Sequence, residues 1–444
     1  MGDSTWWVKA RHAGGEGPAS DLIEFAVAPL EAPVLLAPTG IISAATPTYT
    51  WRAVLTAAEY ALTVEDPIGT RREQWVPADQ AGCATSGICQ FAPAWPLGAG
   101  STKWWVKARH AGGDGPLSRQ GSFTVDPALA TRQWTTWTKW AEPVFIGNHG
   151  AADPSVTREG SLYRMSYTCS EPDSGRCMLC LAESPDGFAW QNIPGEGATG
   201  GLILQGRDGE WDENLETSHL SKVGEQYRLF YSGYPNAGTP IPGFPGFLGL
   251  AQSTDGRTFA RASPGPILQP TPGWHDNDAI FSPVLHSAEG TQLLIYTGHC
   301  LSGCTDEPGV RLLAATSPDG ATWTKVADPV LSRSTEIAWM SEGAAEADLV
   351  QGPDGAFYLF FTGLQGEQRV IGVARGASPL GPWELNAVPI VSPTPGSFDE
   401  AGVLAPQVLI EDGKVRMWYL AFAAGGYPWI GYAESVWPLF VSSP

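Results

Sequence analysis

The sequence is short of positive charge: among its 444 residues, 26 Lys and Arg stand against 46 Asp and Glu, for a net charge of −20. A nucleic-acid partner needs a basic face to meet the phosphate backbone, so that class is excluded, and the acidity itself suits solubility. No apolar run is long enough to span a bilayer, so no membrane role is expected. No alanine- or leucine-rich segment keeps a helical period. No CxxC…CxxC or Cys/His set has zinc-ligand spacing. No secretory leader opens the chain, so it reads as a piece of a longer secreted protein.

What is present is turn formers and aromatics. Gly (53), Pro (38) and Trp (19) are abundant, which favours short strands joined by tight turns and an all-β chain. Hydrophobic residues make up 43% of the sequence, enough for a sizeable core. The length exceeds that of one small domain. The seven Cys fall in three local groups: Cys83 with Cys89, Cys300 with Cys304, and Cys169, Cys177 and Cys180 together. Such spacing in Gly- and Ser-rich loops points to disulfides closing short loops in an oxidising, extracellular compartment. The odd thiol is expected at Cys180, inside a strand.

Two kinds of repeat divide the chain. "WWVKARHAGGEGPAS" from Trp6 returns as "WWVKARHAGGDGPLS" from Trp104, an offset of 98 residues. That is the size of a small β-sandwich. Residues 31–127 read as one complete module, which resembles a fibronectin type III-like module, and 1–28 as the last strands of a preceding copy. No chemistry is expected in either. From residue 132 another phrase recurs: "ESPDGFAW", "QSTDGRTF", "TSPDGATW" and a looser "GASPLGPW". Aromatic strands precede the turns, namely "LYRMSYT", "QYRLFYSG", "QLLIYTG", "FYLFFTG" and "VRMWYLAF". Five such strands imply five four-stranded units, so 132–444 is expected to be a five-bladed β-propeller. "TTWTKWAEPVF" at 135–145 resembles the fourth strand of a unit, so the N-terminal strand is expected to complete the last blade and leave no open edge.

Inner strands of a propeller line one central pocket, so acids at equal register on them form rings. The quartets "DPSV", "TSHL", "SPVL", "ADLV" and "APQV" set the register. An outer ring then holds Asp212, Asp276, Glu342 and Asp399, a deeper pair is Glu216 with Glu346, and Asp153 lies deeper still. Asp212 and Asp399 are expected to cap turns by accepting backbone N–H bonds, and Asp348 to be a structural partner. The deeper acids point to function, because an unpartnered buried carboxylate costs several kcal/mol or takes a raised pKa.

The propeller region resembles the five-bladed glycoside hydrolase superfamily that includes families 32, 43, 62, 68, 117 and 130. "ADPSV" resembles the family 43 Asp-Pro motif, which implies Asp153 as general base. "EADLVQGPDGAFYLFF" resembles the family 43 stretch around its general acid, which implies Glu346. The sequence departs from that pattern at two places. Ser282 stands before Pro283 where a second Asp-Pro is usual, and Ala347-Asp348 stands where Gly-Pro follows the acid. Asp278, or Asp276, is expected to supply the missing third carboxylate as modulator. The family 32 signature is absent.

The resemblance implies a secreted, inverting glycoside hydrolase acting on a furanoside or pentose polymer as a monomer, with no cofactor. Sugar contacts are expected from Glu216, Asp276, Glu342, His219, Tyr234, His299 and Trp429, with Phe244, Phe247, Asp306 and Tyr427 in the same loops; aromatic faces stack on sugar rings. His219 and His275 are of a type that can ligate a central ion, but lone histidines more often hydrogen-bond, and no metal is expected. Two other readings keep the fold: a phosphorylase like those of family 130, for which Arg311 and Arg369 are too few, and a non-catalytic carbohydrate-binding propeller.

Overall fold

The structure is a computed structural model that describes residues 4–21, 23–25, 29–83, 87–127, 132–171, 174–193, 200–235, 246–288, 290–304, 307–334 and 337–442. It is all-β and divides into two compact units, Met1–Ala130 and Thr131–Pro444. Phe244 and Asp306 lie outside the described residues.

In the first unit two sheets share one core. Leu35–Ala37, Tyr49–Arg52 and Ile88–Phe91 form one sheet. Gly40–Ile42, Gly121–Val125, Gly100–His110, Glu59–Glu65 and Arg71–Pro77 form the other. Period-two alternation puts Trp104, Val106 and Ala108 inward, against Tyr49 and Trp51 of the facing sheet. The disulfide Cys83–Cys89 closes a short loop. The repeated phrase forms the same hairpin twice: Lys9–His12 pairs with Gly15–Ala19 in the register that Lys107–His110 takes with Gly113–Leu117.

In the second unit, four-stranded antiparallel runs follow one another along the chain. Their innermost strands are Ala152–Glu159, Asn214–Val223, Ala279–Ala288, Gly343–Gln351 and Gly402–Glu411. The inner strands touch in sequence, and the last returns to the first. Each sheet is apolar on both faces because each is packed between two others. Leu179 and Leu181 meet Leu229 and Tyr231, Phe230 meets Leu294, Ile295 meets Leu359, Phe360 meets Met417, and Trp418 meets Met165. This explains aromatic strands with no polar alternation. Thr138–Lys139 pairs with Ala433–Glu434, so an N-terminal strand is the fourth strand of the last sheet.

The recurring Ser-x-Asp-Gly phrase is a turn. The Ser253 hydroxyl donates to Asp255, whose Oδ1 accepts the N–H groups of Arg257 and Thr258, while Ser253 Oγ accepts those of Asp255 and Gly256. Ser184 with Asp186 and Ser317 with Asp319 repeat it. Gly256 has φ +71° and its α-carbon faces the Tyr227 ring and Arg164, so a side chain there meets both strain and a clash.

Two disulfides fall in this unit, Cys169–Cys180 and Cys300–Cys304, and Cys177 is the free thiol. The expectation of a free Cys180 is therefore corrected, and strand parity explains why. Tyr167 faces Cys180 and Cys169 faces Met178, so Cys169 and Cys180 are diagonal neighbours on one face with Cα atoms 5.9 Å apart. Cys177 faces Ser170 on the opposite side.

Candidate active site

Every inner strand is interrupted at one equivalent place. The register slips between Ala152 and Ser155, Glu216 and His219, Phe281 and Val284, Ala345 and Asp348, and Leu404 and Gln407. Inside each slip sits a residue in the left-handed region: Asp153, Thr217, Ser282, Glu346 and Ala405, with φ between 46° and 54°. Such bulges re-aim a side chain and leave backbone groups outside the ladder. Pro154, Pro283 and Pro406 follow directly, at positions where no ladder N–H is required. Left-handed non-glycine residues cost about 1–2 kcal/mol each, and strain of this kind collects at functional sites.

The five interruptions surround one small pocket that opens to solvent. Asp153, Thr217, Ser282, Glu346 and Ala405 line it, with His219 and Gln407 further along their strands. Among the described lining residues there is no Lys or Arg. The register expected for the fourth strand is thereby corrected by one residue. Glu346 is the equivalent of Asp153 and Thr217, and Glu216 precedes that level; the bulge absorbs the residue that "ADLV" misplaces.

The two acids are held alike. The Thr168 hydroxyl donates to Asp153 Oδ2 at 2.9 Å, and the Thr362 hydroxyl donates to Glu346 Oε2 at 3.0 Å. Burial, then the charges of Glu216 and Glu346, push Asp153 up to about 8. Burial also raises Glu346, against the opposing charge of Arg369. Asp348, two residues along, is pushed up to about 7 by burial, while its Oδ2 accepts Val408 N–H and Gln407 Nε2–H, each at 2.7 Å. It is a buried partner of the neighbouring strand. His219 is driven down to about 4 by burial, so it is neutral at pH 7.

The other expected site residues fall elsewhere. Asp212, Asp276 and Asp399 are fully buried and form ion pairs: Asp212 with Arg207 and Arg261, Asp276 with Lys325, Asp399 with Lys139. Asp276 and Asp399 also accept the N–H groups of Thr271 and Thr394, and all three accept a tyrosine O–H, from Tyr231, Tyr296 and Tyr419. All three are sealed in these pairs, and Asp276 does not line the pocket. Glu342 is exposed and belongs to no such ring; its unit instead stacks Trp339 on Phe361.

Asp278 does not line the pocket. It accepts Leu301 N–H and the Asn277 side chain, beside His299. Tyr234 donates to Glu216, whose charge reaches the pocket acids. Trp429 is half-buried against Phe398, and Tyr427 is exposed. Among the described residues no group of three or more His, Cys, Asp or Glu side chains is arranged to hold a metal ion.

No protein-family model and no curated protein matches the sequence. Solved structures do match. One described as a glycoside hydrolase is 18% identical, with a TM-score of 0.54 over 68% of this chain and 92% of its own. The protein BT0996, solved in complex with RGII, is 19% identical, with a TM-score of 0.55 over 68% and 92%. A β-1,2-mannobiose phosphorylase from Listeria innocua, in complex with β-1,2-mannobiose, is 12% identical, with a TM-score of 0.51 over 68% and 96%. The fold is that of the propeller glycosidases. At these identities the likeness is one of fold.

Thr168 and Thr362, which hold the two acids, are not among the residues that the sequence patterns single out. Their signal is a small hydroxyl directly after the aromatic in "SYT", "FYS", "IYT" and "FFT".

Proposed function

We propose that residues 131–444 are a five-bladed β-propeller glycoside hydrolase, with Asp153 and Glu346 as its acid–base pair. One observation carries this reading: two carboxylates, Asp153 buried and Glu346 half-buried, occupy equivalent strained positions on the first and fourth inner strands. In a ring of five those positions are not neighbours, so the acids stand across the pocket from each other. Glycosidic cleavage with inversion needs such a pair, one protonated and one ionised, about 6.5–9.5 Å apart to leave room for water. Mutual charge and shared burial supply that protonation state, because two close carboxylates in a poorly solvated pocket resist ionising together.

The motifs around them favour Asp153 as base and Glu346 as acid. The Arg369 charge beside Glu346, and the upward push of Asp153 to about 8, favour the reverse order. A lining of acids, hydroxyls and prolines, with no described cation, favours a neutral sugar such as a furanoside or pentose unit, and opposes phosphate as acceptor. Arg311 is bonded to His275 and the Glu307 carbonyl. The three disulfides favour a secreted protein. The first unit fits a fibronectin type III-like spacer, and the whole chain a monomer.

The test is a screen of neutral polysaccharides and aryl glycosides with wild type, Asp153→Asn and Glu346→Gln. Each substitution is expected to lower kcat/KM roughly a hundred- to ten-thousand-fold on polysaccharide. Aryl glycosides with acidic leaving groups need no proton donor, so Glu346→Gln keeps turnover on them and Asp153→Asn does not. The opposite pattern reverses the roles. Cleavage unaffected by either substitution removes the site, and binding without turnover makes the propeller a carbohydrate-binding module.

A further inference from the structure

The left-handed residues leave their N–H groups outside the strand ladder, and those groups find partners across the gaps between sheets. Thr217 N–H goes to Thr168 Oγ1 at 3.1 Å, and Ser282 N–H to Ser232 Oγ at 2.9 Å. Glu346 N–H goes to Thr297 Oγ1 at 2.8 Å, and Ala405 N–H to Thr362 Oγ1 at 3.0 Å. All four hydroxyls are buried on second strands at one register, directly after the aromatic residue, and the fifth strand has Leu420 there. Each hydroxyl thus ties its own sheet to the next inner strand.

A hydroxyl has one hydrogen to give. In Thr168 and Thr362 an incoming N–H occupies the oxygen, and the outgoing hydrogen goes to a pocket carboxylate. Ser232 instead pairs with the Thr217 hydroxyl. Both threonines therefore present a polarised donor to the acid.

We propose that Thr168 and Thr362 are positioning residues of the acid–base pair. Each pins one carboxylate oxygen and leaves the other, Asp153 Oδ1 or Glu346 Oε1, to exchange the proton with substrate or water. Because each donates to the carboxylate, each favours its ionised form. The charged groups acting on Asp153 are Glu216 and Glu346, and on Glu346 they are Arg369 and Glu216; the backbone N–H groups of Thr217 and Ala405 also support them. The proposal rests on the acid–base reading of the pair, but its test does not require turnover.

The test is a carboxyl carbon-13 NMR titration of the full chain labelled at Asp, with Asp153→Asn to assign the signal. A hydrogen bond to a charged group corresponds to roughly one pH unit or more, so Thr168→Val is expected to raise the Asp153 midpoint by that amount and Thr168→Ser to restore it. Ser232→Ala removes the same kind of inter-sheet bond without touching an acid, so it leaves the midpoint in place. An unmoved midpoint in Thr168→Val, or an equal shift in Ser232→Ala, overturns the proposal. If Thr168→Val does not fold, Thr362→Val with Glu label reads Glu346 in the same way and decides the question. A shifted midpoint in a protein inactive on every sugar keeps the hydrogen-bond role and sinks the glycosidase reading instead.

Discussion

Asp153, Thr217, Ser282, Glu346 and Ala405 show how one backbone position serves different side chains. The geometry is repeated on all five inner strands, and an acid occupies it on only two. The Asp-Pro, Ser-Pro and Ala-Pro pairs made three of these positions legible, because proline marks where a ladder N–H is not needed. The fourth was misplaced by one residue, since Glu346-Ala347 has no proline and a bulge leaves no mark in a hydrophobic pattern. If the left-handed backbone belongs to the fold and not to the acids, Ala405 bears its strain without chemical return. Ala405→Gly then relieves about 1–2 kcal/mol of strain, offset by the greater freedom of glycine when unfolded. The expected result is a Tm that stays level or rises, whereas Ala345→Gly, in paired strand just before the equivalent bulge of the fourth inner strand, lowers it. Thermal unfolding of the two variants checks this; a large loss for Ala405→Gly contradicts the strain argument.

Among the elements, the turns and aromatic strands were legible and the partners of the acids were not. Ser-x-Asp-Gly carries its own hydrogen-bond plan within a few residues. Lys325 and Asp276 are far apart in sequence, and nothing local connects them. The same limit hid the Cys169–Cys180 pairing, which depends on the register of two strands. Each of three sheets ties its leading loop to its second and fourth strands through a buried acid, a tyrosine and a Lys or Arg. The fourth sheet instead ties that loop to its second strand with Trp339 on Phe361, so an apolar solution exists within the same chain. Removing one member of a buried pair costs about 3–5 kcal/mol because the other charge is stranded, while replacing both by apolar residues is often neutral. Asp276→Leu alone is expected to lower stability by about that amount, and the double variant with Lys325→Met to recover most of it. Denaturant unfolding of the four proteins in the cycle measures the coupling.

For the second unit as a whole, two carboxyls raised well above their ordinary range, Asp153 and Asp348, sit on its inner strands and govern how stability varies above pH 4. Asp153 and Asp348 are raised from an ordinary 3.8 to about 8 and about 7. Folded, they hold protons that the unfolded chain releases above pH 4. The folded state then binds more protons, so stability falls as pH rises through this window. His219, lowered from 6.5 to about 4, acts in the opposite sense, as do His286 and His299, which burial also lowers: each binds a proton more readily when unfolded, which opposes the fall up to pH 6.5. Above 6.5 that opposition ends while both carboxyls still hold their protons. The loss is therefore steepest between about pH 6.5 and 7, continues more gently to about 8, and then levels. The expectation is a Tm that is higher near pH 5 than near pH 8. Asp348→Asn, which keeps an oxygen to accept Val408 N–H and Gln407, is expected to flatten that decline and to raise Tm at pH 8 above wild type. Calorimetric scans of both proteins across pH 4–9 decide it: parallel curves would show that Asp348 is ionised in the folded protein, paired more strongly than its burial allows.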